Sequence, residues 1–594
     1  MFAKFTPTNS ETLVFIGAGA TASLGMPSTD DQTKIFRDLC GNEKSKEEIL
    51  SSYFSGTDLT KVIAFLDFLD SDNFFEVRET DLQNAEIVYG KHDKEILKNR
   101  ILELRTEYDW NAAKKVLNIC PHNRDKNNLI CDAYSIIDGK LLSHQSLKVA
   151  KYERSHAELK GNRSRPCLVS ASQSEIPKQD DCDNASSRVR NDNYSSEEIL
   201  SESRLQGARN FLMLFVNMLF AARWYKIVNG EKSDEFVKYK KFINSFDRVM
   251  QKEARQFHGT YQKQSRDFYL FTTSFVSFNF EMVFPWIFMN SHYELNHHPP
   301  YIQDHPLKLW LDYGVEHRGR KLVDGKIVPT LEFTESVASR ENEDEHIGTP
   351  VNRAGKFYFA HGSANWRECP VCGRMTFYFG TSENKWSYKS SELIPPFPIP
   401  IFESEKITAL TVQEKEWRKN LRYDSLQCMH CGSETKASDA PMIMQTMYKS
   451  TPTSFLEEIQ RNVKVSLEKA RHIILLGYRL PPDDTIWQHA FAEGVRTRAK
   501  TENAAFCTVV VGHKGEERWI YSDVLERYVE LYRKADDADS WGIVAIENAI
   551  AIFGKDKVRA WTGGIPQVFG NCTEKDVKDL FYPDFVKWDG TRVS

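Results

Sequence analysis

Four cysteines in two pairs, Cys369-x-x-Cys372 and Cys428-x-x-Cys431, carry the most specific chemical signal in the chain. A two-residue gap lets two thiolates reach one ion at about 2.3 Å, and two such pairs can close a tetrahedral four-cysteine zinc site. Gly373 and Gly432 directly follow the pairs, as tight metal-binding knuckles favour. With four thiolate ligands no position is left for a reacting water, so the expected zinc is structural, one per chain. The bland alternative is four reduced thiols without metal. Residues 373–427 separate the pairs, far more than the usual ~15–20, so a subdomain must be inserted there. Cys40, Cys120, Cys131, Cys167, Cys182, Cys507 and Cys572 have no such pairing and read as packing or surface residues.

A second signal is Gly17-Ala18-Gly19-Ala20-Thr21-Ala22, a match to G-x-G-x-x-G/A directly after the apolar run Leu13-Val14-Phe15-Ile16. Glycines there let a backbone approach a pyrophosphate, and the following helix start offers free N–H groups; a tight strand-to-helix turn explains them equally well. An ordinary dinucleotide dehydrogenase also needs a second strand ending in Asp or Glu about 20 residues on. Lys34 to Leu39 reads as helix instead. Asn279 and His361 each follow an apparent strand, Phe275–Asn279 and Phe357–Ala360, which is where a sheet-end ligand would lie.

The elements that position these residues alternate. Leu456, Ile459, Val463, Leu467 and Ala470 give one apolar helix face after a capping-box spacing, Ser454 to Glu457. Pro441–Met447, Ile473–Leu476 and Cys507–Val511 read as strands. Buried strands alternating with amphipathic helices imply an α/β fold with a parallel sheet covered on both faces. Between the first and second strands the pattern is mostly helical. The stretch 155–207 is polar and expected to be loop or disordered, and an apolar helix is expected at 208–228. Phe211, Leu214, Phe215, Met218 and Leu219 on that helix offer either internal packing or an assembly surface.

A chain of 594 residues is too long for one core, which stops growing near ~250–300 residues. Two or three units are expected, or one large α/β domain with big insertions. The formal charge of −5 does not suggest a general nucleic-acid binder. No export signal is visible and the apolar helix falls short of the ~20 residues a bilayer needs, so a cytoplasmic protein with reduced thiols is expected, without membrane contact. Asn296-His297-His298-Pro299 and Glu341–His346 read as surface, and Asp483 and Asp484 as the start of a helix.

The order of the motifs resembles the sirtuin fold, and especially the sirtuin-like NADases of prokaryotic antiphage systems. Gly17 to Pro27 is similar to that family's cofactor loop, Ser277-Phe278-Asn279-Phe280-Glu281 to its TQNID motif, and Ala360-His361-Gly362-Ser363 to its HG motif. Gly477-Tyr478-Arg479-Leu480-Pro481 is similar to a loop that closes over the cofactor. The resemblance implies a Rossmann-like domain in two parts, 1–39 and 267–514, the second carrying a zinc module at 366–435. A helical insertion at 40–266 and an α/β extension at 515–594 complete the expected layout. It implies Asn279 and His361 as catalytic residues, with Gly17, Ala18, Gly19, Thr21, Pro27, Ser277, Glu281, Gly477 and Tyr478 holding NAD+. Glu281 stands where the family has the shorter Asp. The FGE-type segment of family deacylases has no match at Ala440–Met447, which favours NAD+ hydrolysis over protein deacylation. A non-catalytic NAD- or ADP-ribose-binding scaffold is the third reading. A homo-oligomer is expected, with a sensor partner such as a HerA-like ATPase or an Argonaute.

Overall fold

The computed structural model describes residues 12–41, 43–71, 73–120, 129–150, 197–229, 233–258, 273–288, 291, 311–312, 317–323, 326–332, 355–364, 366–377, 399–400, 426–428, 431, 433–443, 454–481, 484–499, 505–512, 517–534 and 541–584. Their centre is an eight-stranded sheet. In chain order its strands are β1 (Thr12–Ile16), β2 (Thr273–Ser277), β3 (Leu311–Asp312), β4 (Gly355–Phe359), β5 (His472–Leu476), β6 (Phe506–Val510), β7 (Trp519–Tyr521) and β8 (Val558–Trp561). Across the sheet the order is β7-β8-β6-β5-β1-β2-β4-β3. All pairings are parallel except β7 with β8. β1, β2 and β5 are buried at every position, as expected of parallel strands covered on both faces.

The six parallel strands β4-β2-β1-β5-β6-β8 follow the 3-2-1-4-5-6 order of a doubly wound sheet, whose direction of winding reverses between β1 and β5. Register makes that point a shared edge. Ile16 is paired with both Ser277 and Leu476, Ser277 with Phe359, and Leu476 with Val510. The carboxyl ends of five strands are therefore level, and the next residues of four of them (Gly17, Phe278, Ala360 and Gly477) begin a common rim.

The segment expected as a C-terminal α/β extension supplies β7 and β8 to this same sheet. Arg559, a charge inside a strand, is what hides β8 in the sequence. Its Nε donates to Thr508 Oγ1 at 2.9 Å and its Nη2 to the carbonyls of Asp579 and Leu580. His472, 1% exposed, pairs through Nε2 with Thr508 Oγ1 at 2.7 Å and through Nδ1 with the Phe581 carbonyl at 3.1 Å. Burial, and then the Arg559 charge, push the His472 pKa down to about 3. A folded-state pKa below the unfolded one makes stability complete above about pH 6.5, and lost as pH falls toward about 3. Thermal melts between pH 7 and pH 4 should show this loss reduced in His472→Gln, which keeps hydrogen-bonding groups without the titration.

After the first helix Thr29–Cys40, the helical insertion contains helices Gly56–Leu69, Glu79–Tyr89, Lys94–Glu107, Trp110–Ile119, Leu129–Leu142, Glu202–Asn229 and Asp234–His258, among others. It is not a detached body: its core is continuous with that of the sheet. Phe36 meets Phe215 at 5.1 Å between ring centroids, Phe220 meets Phe280 at 6.0 Å, and Phe242 stacks on Phe569 at 4.1 Å. Among the described residues, the insertion and the sheet share one hydrophobic core.

The apolar helix expected at 208–228 begins six residues earlier, at Glu202, just after a short strand Glu197–Leu200 that pairs with Leu147–Ala150. Within the stretch 155–207 expected to be loop, residues 155–196 lie outside the described ones. Residues Glu202–Trp224 form a helix long and apolar enough to cross a membrane, yet 83% of its most apolar stretch is buried inside the fold. Phe211, Leu214, Phe215, Met218 and Leu219 are all fully buried, so internal packing is their role and they offer no assembly surface. Arg105, also buried, is held by the carbonyls of Phe68 and Glu76 and by Asp81 Oδ2 at 3.0 Å. That satisfies a charge which would otherwise be costly to bury.

Candidate functional site

The loop after β1 and the loop after β5 pack backbone to backbone. Gly17 N–H donates to the Leu476 carbonyl at 3.0 Å and Gly19 N–H to the Gly477 carbonyl at 3.2 Å. A Cβ on Gly17 would stand 2.5 Å from Gly477 O, and one on Gly477 would stand 2.2 Å from Ala20 N. The glycines expected to admit a pyrophosphate thus serve, in this structure, the close approach of two loops across the point where the winding reverses. Gly477 also has φ +62°. Gly477→Ala is therefore expected to destabilise by more than the ~1–3 kcal/mol of backbone strain alone. Gly554→Ala, at φ +83° with no atom nearby, is the control that carries only the strain. Chemical denaturation of the two variants measures the difference.

Beside this contact lies a cavity of about 50 Å³. The loop after β1 contributes Ala18 and Thr21, followed by Pro27, Thr29 and Gln32. The loop after β2 contributes Phe278, Asn279, Phe280 and Glu281, and the loop after β4 contributes His361. The helical insertion closes the wall with Cys131 and Phe220. That space holds a few waters.

Asn279, 7% exposed, is fixed by its own turn and by its neighbours. Its backbone N–H donates to Ser277 Oγ at 3.1 Å. Its side-chain Nδ2 donates to the Gly17 carbonyl at 3.1 Å, Thr21 Oγ1 at 3.3 Å and Glu281 Oε1 at 3.0 Å. Glu281, also 7% exposed, has its second oxygen, Oε2, buried without a hydrogen-bond partner. Burial pushes its pKa up to about 7, against the opposing pull of bonds from Thr21, its own backbone and Asn279. Above that value the ionised carboxylate costs the fold stability, a pattern more common at functional sites than in cores.

His361 sits on the other side, 1% exposed, with its ring 4.7 Å from that of Phe278. Its Nε2 stands 3.7 Å from Asp484 Oδ2, and the same oxygen accepts a bond from Tyr478 Oη at 2.7 Å. Phe278 stacks on Tyr478 at 4.3 Å and meets Trp487 edge-on at 5.2 Å, which makes a rigid aromatic seat for the histidine. Gly362, at φ +81°, lets Pro441 pass: a Cβ there would lie 1.5 Å from Pro441 O. Ile443 N–H then donates to the His361 carbonyl at 2.8 Å. Residues 440–443 form no strand, and the rest of the strand expected at Pro441–Met447 lies outside the described residues.

Of the expected site residues, Ala18, Thr21, Pro27, Asn279, Glu281 and His361 line one cavity. Gly17, Gly19 and Gly477 form the loop contact behind it, Ser277 braces Asn279, and Tyr478 holds Asp484. Asp484 does begin a helix, Thr485–Ala499, and its side chain reaches the histidine as well. Phe278, Phe280, Phe220, Cys131, Thr29 and Gln32 were missed.

The four cysteines converge. Strand Trp366–Glu368 pairs antiparallel with Met375–Phe377, and Leu426–Gln427 with Glu434–Thr435, so each pair of thiols sits at a hairpin tip. Cys369 N–H bonds the Arg374 carbonyl at 3.0 Å and Gly373, at φ +65°, bonds back to Cys369 O at 2.8 Å. Sγ atoms of Cys369 and Cys431, and of Cys372 and Cys428, are 3.5 Å apart, and all four lie within 4.8 Å of one another. A tetrahedron with about 2.3 Å metal–sulfur bonds has edges of about 3.8 Å, so the four thiols fit one zinc ion. Asn296–Pro299 and Glu341–His346 lie outside the described residues.

Compared with known protein families and with curated proteins, the chain matches none.

Proposed function

We propose that the chain is a sirtuin-like NAD+ glycohydrolase with one structural zinc. The observation that carries this reading is the convergence of Asn279, Glu281 and His361 on one cavity beside the winding reversal of a doubly wound sheet. Ligands of such sheets bind at that place, and the three residues stand on the motifs that resemble the sirtuin-like family.

The nicotinamide–ribose bond of NAD+ carries a cationic leaving group. Cleavage therefore needs stabilisation of an oxocarbenium-like state and a placed water more than it needs an acid. The Asn279 amide positions the ribose and the water. His361, with Asp484 3.7 Å from its ring, takes the proton that the attacking water gives up. The balance is NAD+ plus water to nicotinamide, ADP-ribose and a proton. The cysteine cluster supplies no step; its closed thiolate set holds the hairpins.

An NAD-depleting role in antiphage defence, in a homo-oligomer with a HerA-like or Argonaute sensor, is what the resemblance adds. With it goes the expectation of a low basal activity, raised by a partner or by higher-order assembly. Deacylation and scaffolding are separated from hydrolysis by one assay. Purified protein is incubated with NAD+, with and without an acetyl-lysine peptide. Hydrolysis gives nicotinamide in both arms, deacylation only with peptide, and a scaffold in neither.

A further inference from the structure

Asn279 has one side-chain nitrogen with two hydrogens, and three acceptors face it: Gly17 O, Thr21 Oγ1 and Glu281 Oε1. Thr21 and Glu281 thus stand together on one side of Asn279, and all three line the cavity. A carbonyl and a carboxylate can only accept, which assigns the amide nitrogen to this side. Asn279 Oδ1, on the opposite arm of the planar amide, has no partner among the described residues and is the atom left for a ligand.

From this geometry we infer that Glu281 is a positioning residue: it acts through Asn279, locking the amide so that Oδ1 is presented to the cavity. The inference rests on the reading above for its substrate, but the lock itself exists without one. The longer carboxylate, where the resembled motif has Asp, lets Oε1 reach back to Asn279, while Oε2 is buried without a hydrogen-bond partner. The other groups that face Glu281 are Tyr239 from helix Asp234–His258, and His361 and Cys131 across the cavity. Among the described residues lining the cavity there is no Lys or Arg to hold the carboxylate ionised. Thr21, its own backbone and Asn279, in that order, are therefore what favour the carboxylate, and losing the Asn279 donor should make ionisation harder.

Two measurements test this. In the ligand-free protein, carbon NMR of the glutamate carboxyls, with the Glu281 signal assigned by its absence in Glu281→Gln, should titrate near pH 7. In Asn279→Leu its midpoint should move upward. An unchanged midpoint means that the two side chains are not coupled and overturns the inference, whatever the activity. In the NAD+ assay, Glu281→Met should lose ~10²-fold or more in turnover, as deleting a positioning group does. Glu281→Gln, which can still accept from Asn279, should recover part of that loss and flatten the pH profile near 7. A Met variant as active as wild type, or a Gln variant as impaired as the Met one, overturns the positioning role. Absence of cleavage by the wild type refutes the proposed function and leaves the NMR arm to decide the lock.

Discussion

Asn279→Ala and His361→Ala are each expected to reduce NAD+ cleavage by ~10²–10⁴-fold, the usual cost of deleting a positioning group or general base. The two variants should differ in what else they disturb. Asn279 ties the loop after β2 to Gly17 and Thr21, so its loss lowers stability as well. His361 is seated by packing on Phe278, and the Ile443 N–H is bonded to its backbone carbonyl, which alanine keeps. Thermal melts alongside the rate measurements separate the effects. Near-wild-type turnover in either variant would place the chemistry elsewhere.

The second large effect concerns the metal. Cys428→Ser is expected to lose zinc and with it the order of both hairpins. Four thiols lie within 4.8 Å of one another, a crowding that a shared ion justifies. Binding energy of structural zinc is folding energy, of the order of ~10–16 kcal/mol in small modules. Lys436, directly after this module, pairs with Glu107 of the helical insertion at 2.9 Å, so the disturbance should spread to that contact. Elemental analysis should find about one zinc per wild-type chain, since four such ligands close one tetrahedral site. A folded wild type without zinc would contradict the assignment.

Local sequence patterns exposed much of this molecule, for identifiable reasons. Parallel strands such as Leu13–Ile16 and Ile473–Leu476 are buried on both faces and read as short apolar runs. A two-residue cysteine gap is dictated by one metal ion. Asn279 and His361 were visible because each follows such a run. What stayed hidden depends on contacts between distant elements. Asp484 reads as a helix start, and only the level ends of β4 and β5 bring it to His361. Phe220 sits in a long apolar run of its helix, so nothing local marks it as the residue that lines the cavity. β8 was concealed by Arg559, whose charge is absorbed by Thr508 and two carbonyls that arrive from elsewhere in the chain.

The central claim is that this cavity cleaves NAD+ with water. The most direct test is incubation of the purified, zinc-loaded full chain with NAD+ alone, followed by separation of the products. The account predicts nicotinamide and ADP-ribose in equal amounts, formed without any acyl-lysine peptide and lost in His361→Ala. Intact NAD+ in the presence of folded protein, both as purified and at concentrations that drive assembly, or nicotinamide released only when an acyl-lysine peptide is added, would contradict it.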